Sequence, residues 1–229
     1  LAAGMDAVIN LVGVLNGDFE RAHVTLTANA IAACKAAGVS RYLHMSALGA
    51  SADGPSKYQQ TKAQAEVAVR ASGLDYTIFA PSVIFGRGDA FLNKFAKMVS
   101  LLPPLAPMAL PGASARFQPV WVDDVAGALV AALSTPGSIG QRYELVGPKA
   151  YSLRELVRYV MTLAEDQHAI IGLPGVVSSL LGAVLGRLPG KVLTTDNVRS
   201  MSVDNVSDAA WPAFAGAPAA LEDIAPLYL

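Results

Sequence analysis

Short apolar runs alternate with longer stretches of mixed apolar and polar residues through the first part of the chain. "DAVINLVG" (6–13) is a run of the first kind closed by glycine, the pattern of a strand buried on both faces. The alanine-rich "ERAHVTLTANAIAACKAAG" (20–38) predicts a helix, with Gly38 where a helix would end. "RYLHMS" (41–46) predicts the next strand. After the loop "ALGASADGP", Ser56 is placed to cap a second helix that stops near Gly73. "DYTIFAPSVIFG" (75–86) is strand again. Strands alternating with helices through short links predict an α/β fold, a doubly wound parallel sheet covered on both faces. Such sheets bind ligands beyond the carboxyl ends of their strands, where Gly13, Ser46 and Pro81 fall.

Beyond Gly88 the rhythm loosens. Asp123 or Asp124 is expected to cap a helix in "FQPVWVDDVAGALVAAL", "RYELVG" (142–147) predicts a strand, and "SLRE" (152–155) fits a capping box that opens a helix to about Ala164. Two stretches carry no charge, "MVSLLPPLAPMALPGASA" (98–115) and "AIIGLPGVVSSLLGAVLG" (169–186). The second has the length at which a membrane span is considered, about 18 residues. Prolines in both argue against spanning, so apolar loops or short helices over a pocket are expected.

A chain of 229 residues that is 53% hydrophobic and 15% charged can bury a large core. Its net charge is -1 and it has no basic run, so nothing electrostatic favours a nucleic-acid partner. Cys34 is the only cysteine, which excludes an internal disulfide and suits a reducing, cytoplasmic setting. His23, His44 and His168 are scattered, so no metal site is expected, and His44 has the pattern of a packed strand residue.

Candidate chemistry lies in "SKYQQTK" (56–62). Tyr58 and Lys62 are four residues apart and share one side of the expected helix. An ammonium beside a phenol favours the phenolate, which would bring Tyr58 toward use as a general acid or base.

These segments in their order resemble the extended and atypical short-chain dehydrogenase/reductase superfamily, through "DAVINLVG", "AGVSRYLHMSALGA", "SKYQQTKAQAE", "LDYTIFAPSVIFGRGD", "FQPVWVDDVAGAL" and "YELVGPKAYSLREL". With "LTTDNVRSMSVDNV" the chain is most similar to bacterial relatives of the nucleotide-binding accessory subunit of respiratory complex I. The resemblance implies NAD or NADP as cofactor. It implies that Tyr58 exchanges a proton with a substrate oxygen, and that Lys62 binds the nicotinamide ribose and lowers the tyrosine pKa. Ser46 would stand in for the hydroxyl of active members, whose place falls near Leu48. Leu11, Val12, Gly13, Ser46, Ala47, Tyr58, Lys62, Pro81, Ser82, Val83 and Ile84 would line the cofactor. Residues 1–100 would form the C-terminal part of a dinucleotide-binding Rossmann domain. Residues 101–229 would be mostly a substrate or partner lobe, with 115–146 returning to the sheet.

Two departures from the superfamily bear on function. Ala80 stands where relatives often have arginine, and no glycine-rich pyrophosphate fingerprint occurs. The stretch 6–13 resembles the fourth strand of the fold, so three strands are expected upstream of it. The resemblance leaves an oxidoreductase or a nucleotide-binding accessory protein with a hydrophobic, quinone- or isoprenoid-like ligand. Association at the periphery of the inner membrane or with a respiratory complex goes with that expectation. The alternatives are a nucleotide-sugar epimerase or dehydratase, which needs a polar pocket that the two apolar stretches do not offer, and a non-enzymatic nucleotide sensor.

Overall fold

The computed structural model describes residues 2–103, 105–174, 177 and 194–229. The chain runs β1 (Ala7–Asn10), a π-helical turn (Glu20–Thr25) leading into α1 (Leu26–Ala37), β2 (Arg41–Met45), α2 (Lys57–Arg70), β3 (Asp75–Pro81), β4 (Ile84–Phe85) and α3 (Leu92–Ser100). It continues through β5 (Met108–Pro111), β6 (Arg116–Phe117), β7 (Val120–Trp121), α4 (Val122–Leu133), β8 (Gln141–Leu145), β9 (Tyr151–Ser152), α5 (Leu153–Leu163) and β10 (Ile170–Leu173). Two short helices follow, α6 (Thr195–Ser200) and α7 (Leu221–Ile224).

β1, β2, β3 and β8 hydrogen-bond in that order, all parallel, with Ala7 opposite Arg41, Arg41 opposite Asp75 and Thr77 opposite Gln141. Local chemistry sets the helix ends. Gly38 closes α1 at φ 70, a left-handed conformation that a side chain would resist. The Ser56 side chain accepts from Gln59 N at the start of α2, and Ser152 and Glu155 form the expected capping box on α5.

Apolar residues of α1, α2 and one sheet face pack around Ile31, Cys34, Tyr42, Val69 and Ile78. The other face meets α4 through Leu43, Phe79, Val120, Leu129 and Leu145. A third core joins α3, α5 and β5 through Leu92, Met108, Leu110, Leu156 and Val160. Each such side chain contributes about 1.5–3 kcal/mol of burial.

Among the described residues β1 pairs only with β2, and Ile9 is 40% exposed. Two expectations are corrected. Asp123 and Asp124 do not cap α4. Its N-cap is Trp121, the two aspartates lie in the first turn, and Asp124 accepts instead from Ala219 N at 2.8 Å. The two uncharged stretches are not only loops, because β5 from the first pairs in parallel with β10 from the second, Ile170 opposite Met108. Alternation places Met108, Leu110 and Ile170 in the core and turns Ile171 outward. Most of the second stretch, 175–176 and 178–186, lies outside the described residues. Among the described residues no helix is long and apolar enough to cross a membrane.

Gly147 sets how closely β8 approaches the segment leading into β7. A Cβ there would lie 1.9 Å from the Pro119 carbonyl oxygen. Gly147→Ala is expected to destabilise the fold by about 2 kcal/mol, since main chain would have to shift. A denaturant midpoint unchanged from that of the parent protein would contradict this.

Candidate functional site

Tyr58, Lys62 and Glu66 follow one another at four-residue steps along α2, and this face turns toward the carboxyl ends of β1 and β2. Lys62 is only 3% exposed. Its Nζ donates to the carbonyl oxygens of Val12 (3.1 Å) and Met45 (3.0 Å), so the ammonium bridges the chain just past the ends of two adjacent strands. An ammonium has three donors, and two are used here. Gly13 lies against it, where a Cβ would come 3.1 Å from Nζ, so the missing side chain keeps the approach to the ammonium open. Burial lowers the Lys62 pKa to about 8, with Glu66 opposing the shift.

Tyr58 is half-buried, edge-on to His23 (5.5 Å between ring centroids) and to Phe19 (6.2 Å). Burial pushes its pKa up to about 12. The expected lowering by Lys62 is therefore corrected: the ammonium is drawn to main-chain carbonyls, and the phenol is held in its neutral form. Among the described residues the phenol has no hydrogen-bond partner.

Ser46 is buried, and its Oγ donates to Glu66 Oε1 at 2.6 Å. That carboxylate also accepts from Arg142 Nε (3.1 Å to each oxygen) and from Arg70 (3.0 Å). The only proton Ser46 can donate is thus directed to Glu66. Ser46, the residue expected to stand in for the hydroxyl of active members, is engaged in this network.

A polar layer lies beneath these residues. Val14 N donates to His23 Nε2 (3.1 Å), so the ring proton sits on Nδ1, which donates to Thr61 Oγ1 (2.8 Å). Asn10 donates to Thr27 Oγ1 and Tyr42 OH and accepts from Val12 N. These bonds pin the loop after β1. His44 is packed as expected and 1% exposed, but neither ring nitrogen has a partner among the described residues. Burial, then Lys62 and His23, lower its pKa to about 3, so it is a neutral imidazole.

The remaining residues expected at the cofactor divide into two groups. Leu11, Val12 and Gly13 are exposed past the end of β1, and Ala47 and Pro81 are buried at the ends of β2 and β3, where Leu48 N donates to Pro81 O (2.9 Å). Ser82, Val83 and Ile84 are more committed to the fold. Ser82 Oγ donates to Asn205 Oδ1 at 2.6 Å, while Val83 and Ile84 pack against the two larger cores.

The site's residues fit the nicotinamide-ribose end of a dinucleotide. A donor stands at the strand ends with a bare glycine before it, and a neutral phenol lies one helical turn away. Sequence reasoning missed a cavity of about 1150 Å³ lined by Arg116, Arg154 and Arg199 together with Ala113, Val198 and Met201. The three arginines lie far apart in sequence, so no local motif signals them.

Residues 1–90 match the NAD(P)H-binding family. The chain is 35% identical over 212 residues to the mitochondrial NADH dehydrogenase (ubiquinone) 1 alpha subcomplex subunit 9 of Mus musculus, covering 90% of this chain and 56% of that protein. It is 27% identical over 175 residues to the NAD(P)H azoreductase of Xenophilus azovorans, covering 70% of this chain and 58% of that protein. The chain spans just over half the length of these relatives. A nucleoside-diphosphate-sugar epimerase from Staphylococcus aureus superposes with a TM-score of 0.73 at 18% identity, covering 96% of this chain and 76% of that one, which establishes the Rossmann-like fold.

Proposed function

We propose that this chain, whose first 90 residues belong to the NAD(P)H-binding family, holds the nicotinamide ribose of NAD(P)(H) at Lys62 and acts as a nucleotide-retaining accessory protein rather than as an oxidoreductase. The observation that carries this reading is the buried Lys62 ammonium between Val12 O and Met45 O, with Gly13 open before it. Against hydride chemistry stand the commitment of the Ser46 proton to Glu66 and the upward shift of the Tyr58 pKa. The mouse relative is named as a subunit of NADH dehydrogenase (ubiquinone), which supports a respiratory assembly as the partner. An apolar surface of such an assembly suits the second lobe better than an isoprenoid or quinone-like tail. Met108, Leu110 and Ile170 are spent in its core, whereas Leu101, Leu105 and Ile171 face outward.

The test measures NADH binding through nicotinamide fluorescence, together with NADH oxidation by short-chain quinones. Saturable binding without turnover is expected, and Tyr58→Phe should leave the Kd within about threefold, since this reading assigns the hold on the ribose to Lys62 and not to the phenol. Turnover that falls by about 10²-fold in Tyr58→Phe would replace this reading with an oxidoreductase that uses Tyr58 as its acid.

One observation favours a second reading. Three guanidinium groups around one cavity suit a phosphate-bearing ligand, as a nucleotide-sugar enzyme requires. This weakens the case against that class made from the uncharged stretches alone. Saturable binding of a UDP-sugar, lost in Arg116→Ala with NADH binding retained, would promote it.

A further inference from the structure

We propose that residues 194–207 form a strap that sets the geometry of the nucleotide site, with Asp196 as its positioning residue. The proposal rests on the assignment of Lys62 and Tyr58 to that site.

The first N–H groups of any helix lack partners within it. In α2 these are supplied from two sources. Ser56 Oγ accepts from Gln59 N at 3.2 Å. The Asp196 carboxylate, 138 residues from Tyr58 in sequence, accepts from Lys57 N (2.8 Å, Oδ1) and Tyr58 N (3.2 Å, Oδ2). Ser200 Oγ adds a bond to Ser56 Oγ at 2.9 Å. A carboxylate at this end of α2 is also favoured by the helix dipole. The main chain of Tyr58 is therefore fixed by a residue of the C-terminal segment.

The same segment reaches the other parts of the site. Asn197 Nδ2 donates to Leu15 O (3.2 Å), tying down the loop that carries Val12 and Gly13. Asn205 Oδ1 accepts from Ser82 Oγ (2.6 Å) at the end of β3, and Asn205 N donates to Arg116 O (2.8 Å). Ser207 Oγ donates to Glu144, whose other oxygen meets Arg142 in the Glu66 network. One stretch thus contacts the loop after β1, the start of α2, the end of β3 and the end of β8. Residues that share no local motif with Tyr58 and Lys62 hold the elements around them in register.

Preorganisation of this kind appears in affinity, because a site that must first be ordered binds more weakly. In the full-length protein, Asp196→Ala is expected to raise the Kd for NADH by about tenfold, with Asp196→Asn, which keeps one acceptor oxygen, in between. The control is Asp89→Ala. Asp89 accepts from Phe91 N (2.7 Å) and Leu92 N (2.6 Å) at the start of α3, and from Gly86 N, Asn93 Nδ2 and Tyr228 OH, so it is a carboxylate that orders a helix start away from α2. It should lower Tm comparably and leave the NADH Kd within about twofold. If Asp196→Ala lowers Tm but leaves the Kd unchanged, as the control does, Asp196 is only a structural cap and the strap proposal fails. Should Asp196→Ala not fold, Asp196→Asn carries the same comparison. An unchanged Kd in Lys62→Met would instead overturn the nucleotide-site assignment itself, so the two failures are separable.

Discussion

Lys62→Met is expected to weaken NADH binding by about thirtyfold while leaving stability at pH 7 unchanged or raised. The loss is that of the charge-assisted hydrogen bond proposed between Lys62 and the ribose, worth about 1.5–3 kcal/mol. The stability follows from what the ammonium costs when no nucleotide is present. Its ordinary pKa of 10.5 falls to about 8 because burial disfavours the charged form more than Glu66 restores it. Between those values the unfolded chain holds a proton that the folded chain has released, so folding stability rises with pH through that window. Below pH 8 the full penalty applies, on the order of 3 kcal/mol, and it is offset in part by the bonds to Val12 O and Met45 O. Methionine fills similar space without that penalty. Nucleotide affinity should move the other way in the parent protein, falling as pH rises through about 8, and this dependence should vanish in Lys62→Met. Binding titrations from pH 6 to 10 check both; a flat parent profile would remove Lys62 from the nucleotide site.

The largest loss of stability is expected from Glu66→Ala, about 3–5 kcal/mol, the range for removing one partner of a buried charge network. The Glu66 side chain is 9% exposed and gathers Ser46, Arg70 and Arg142. Its removal leaves Ser46 Oγ without an acceptor and Arg142 with Glu144 alone, at 2.6 Å. Thermal unfolding should shift down by roughly 10 °C in a protein of this size. Glu66→Gln, which still accepts from Ser46 but carries no charge, should lose about half as much. Because Glu66 raises the Lys62 pKa, Glu66→Gln should also move the pH dependence of NADH affinity to lower pH. A Tm within about 2 °C of the parent in Glu66→Ala would show that solvent screens the network.

The sequence by itself determined the elements and much of the candidate chemistry. Helix ends at Gly38, Ser56 and Ser152 are legible because capping depends on neighbours three or four residues away. Tyr58 and Lys62 are legible for the same reason: the helical repeat alone puts them on one side of α2. What each of them meets is a different matter. Lys62 is 50 residues from Val12 and Ser46 is 20 from Glu66, so these partners had no local signal. Nor had the rise of the Tyr58 pKa, which depends on how much of the chain packs over the phenol. The pairing of β5 with β10, the three arginines around one cavity and the strap from Asp196 to Ser207 belong to the same class. Backbone periodicity is a property of neighbours in sequence, whereas hydrogen-bond partners, burial and charge proximity arise only when distant segments are brought together.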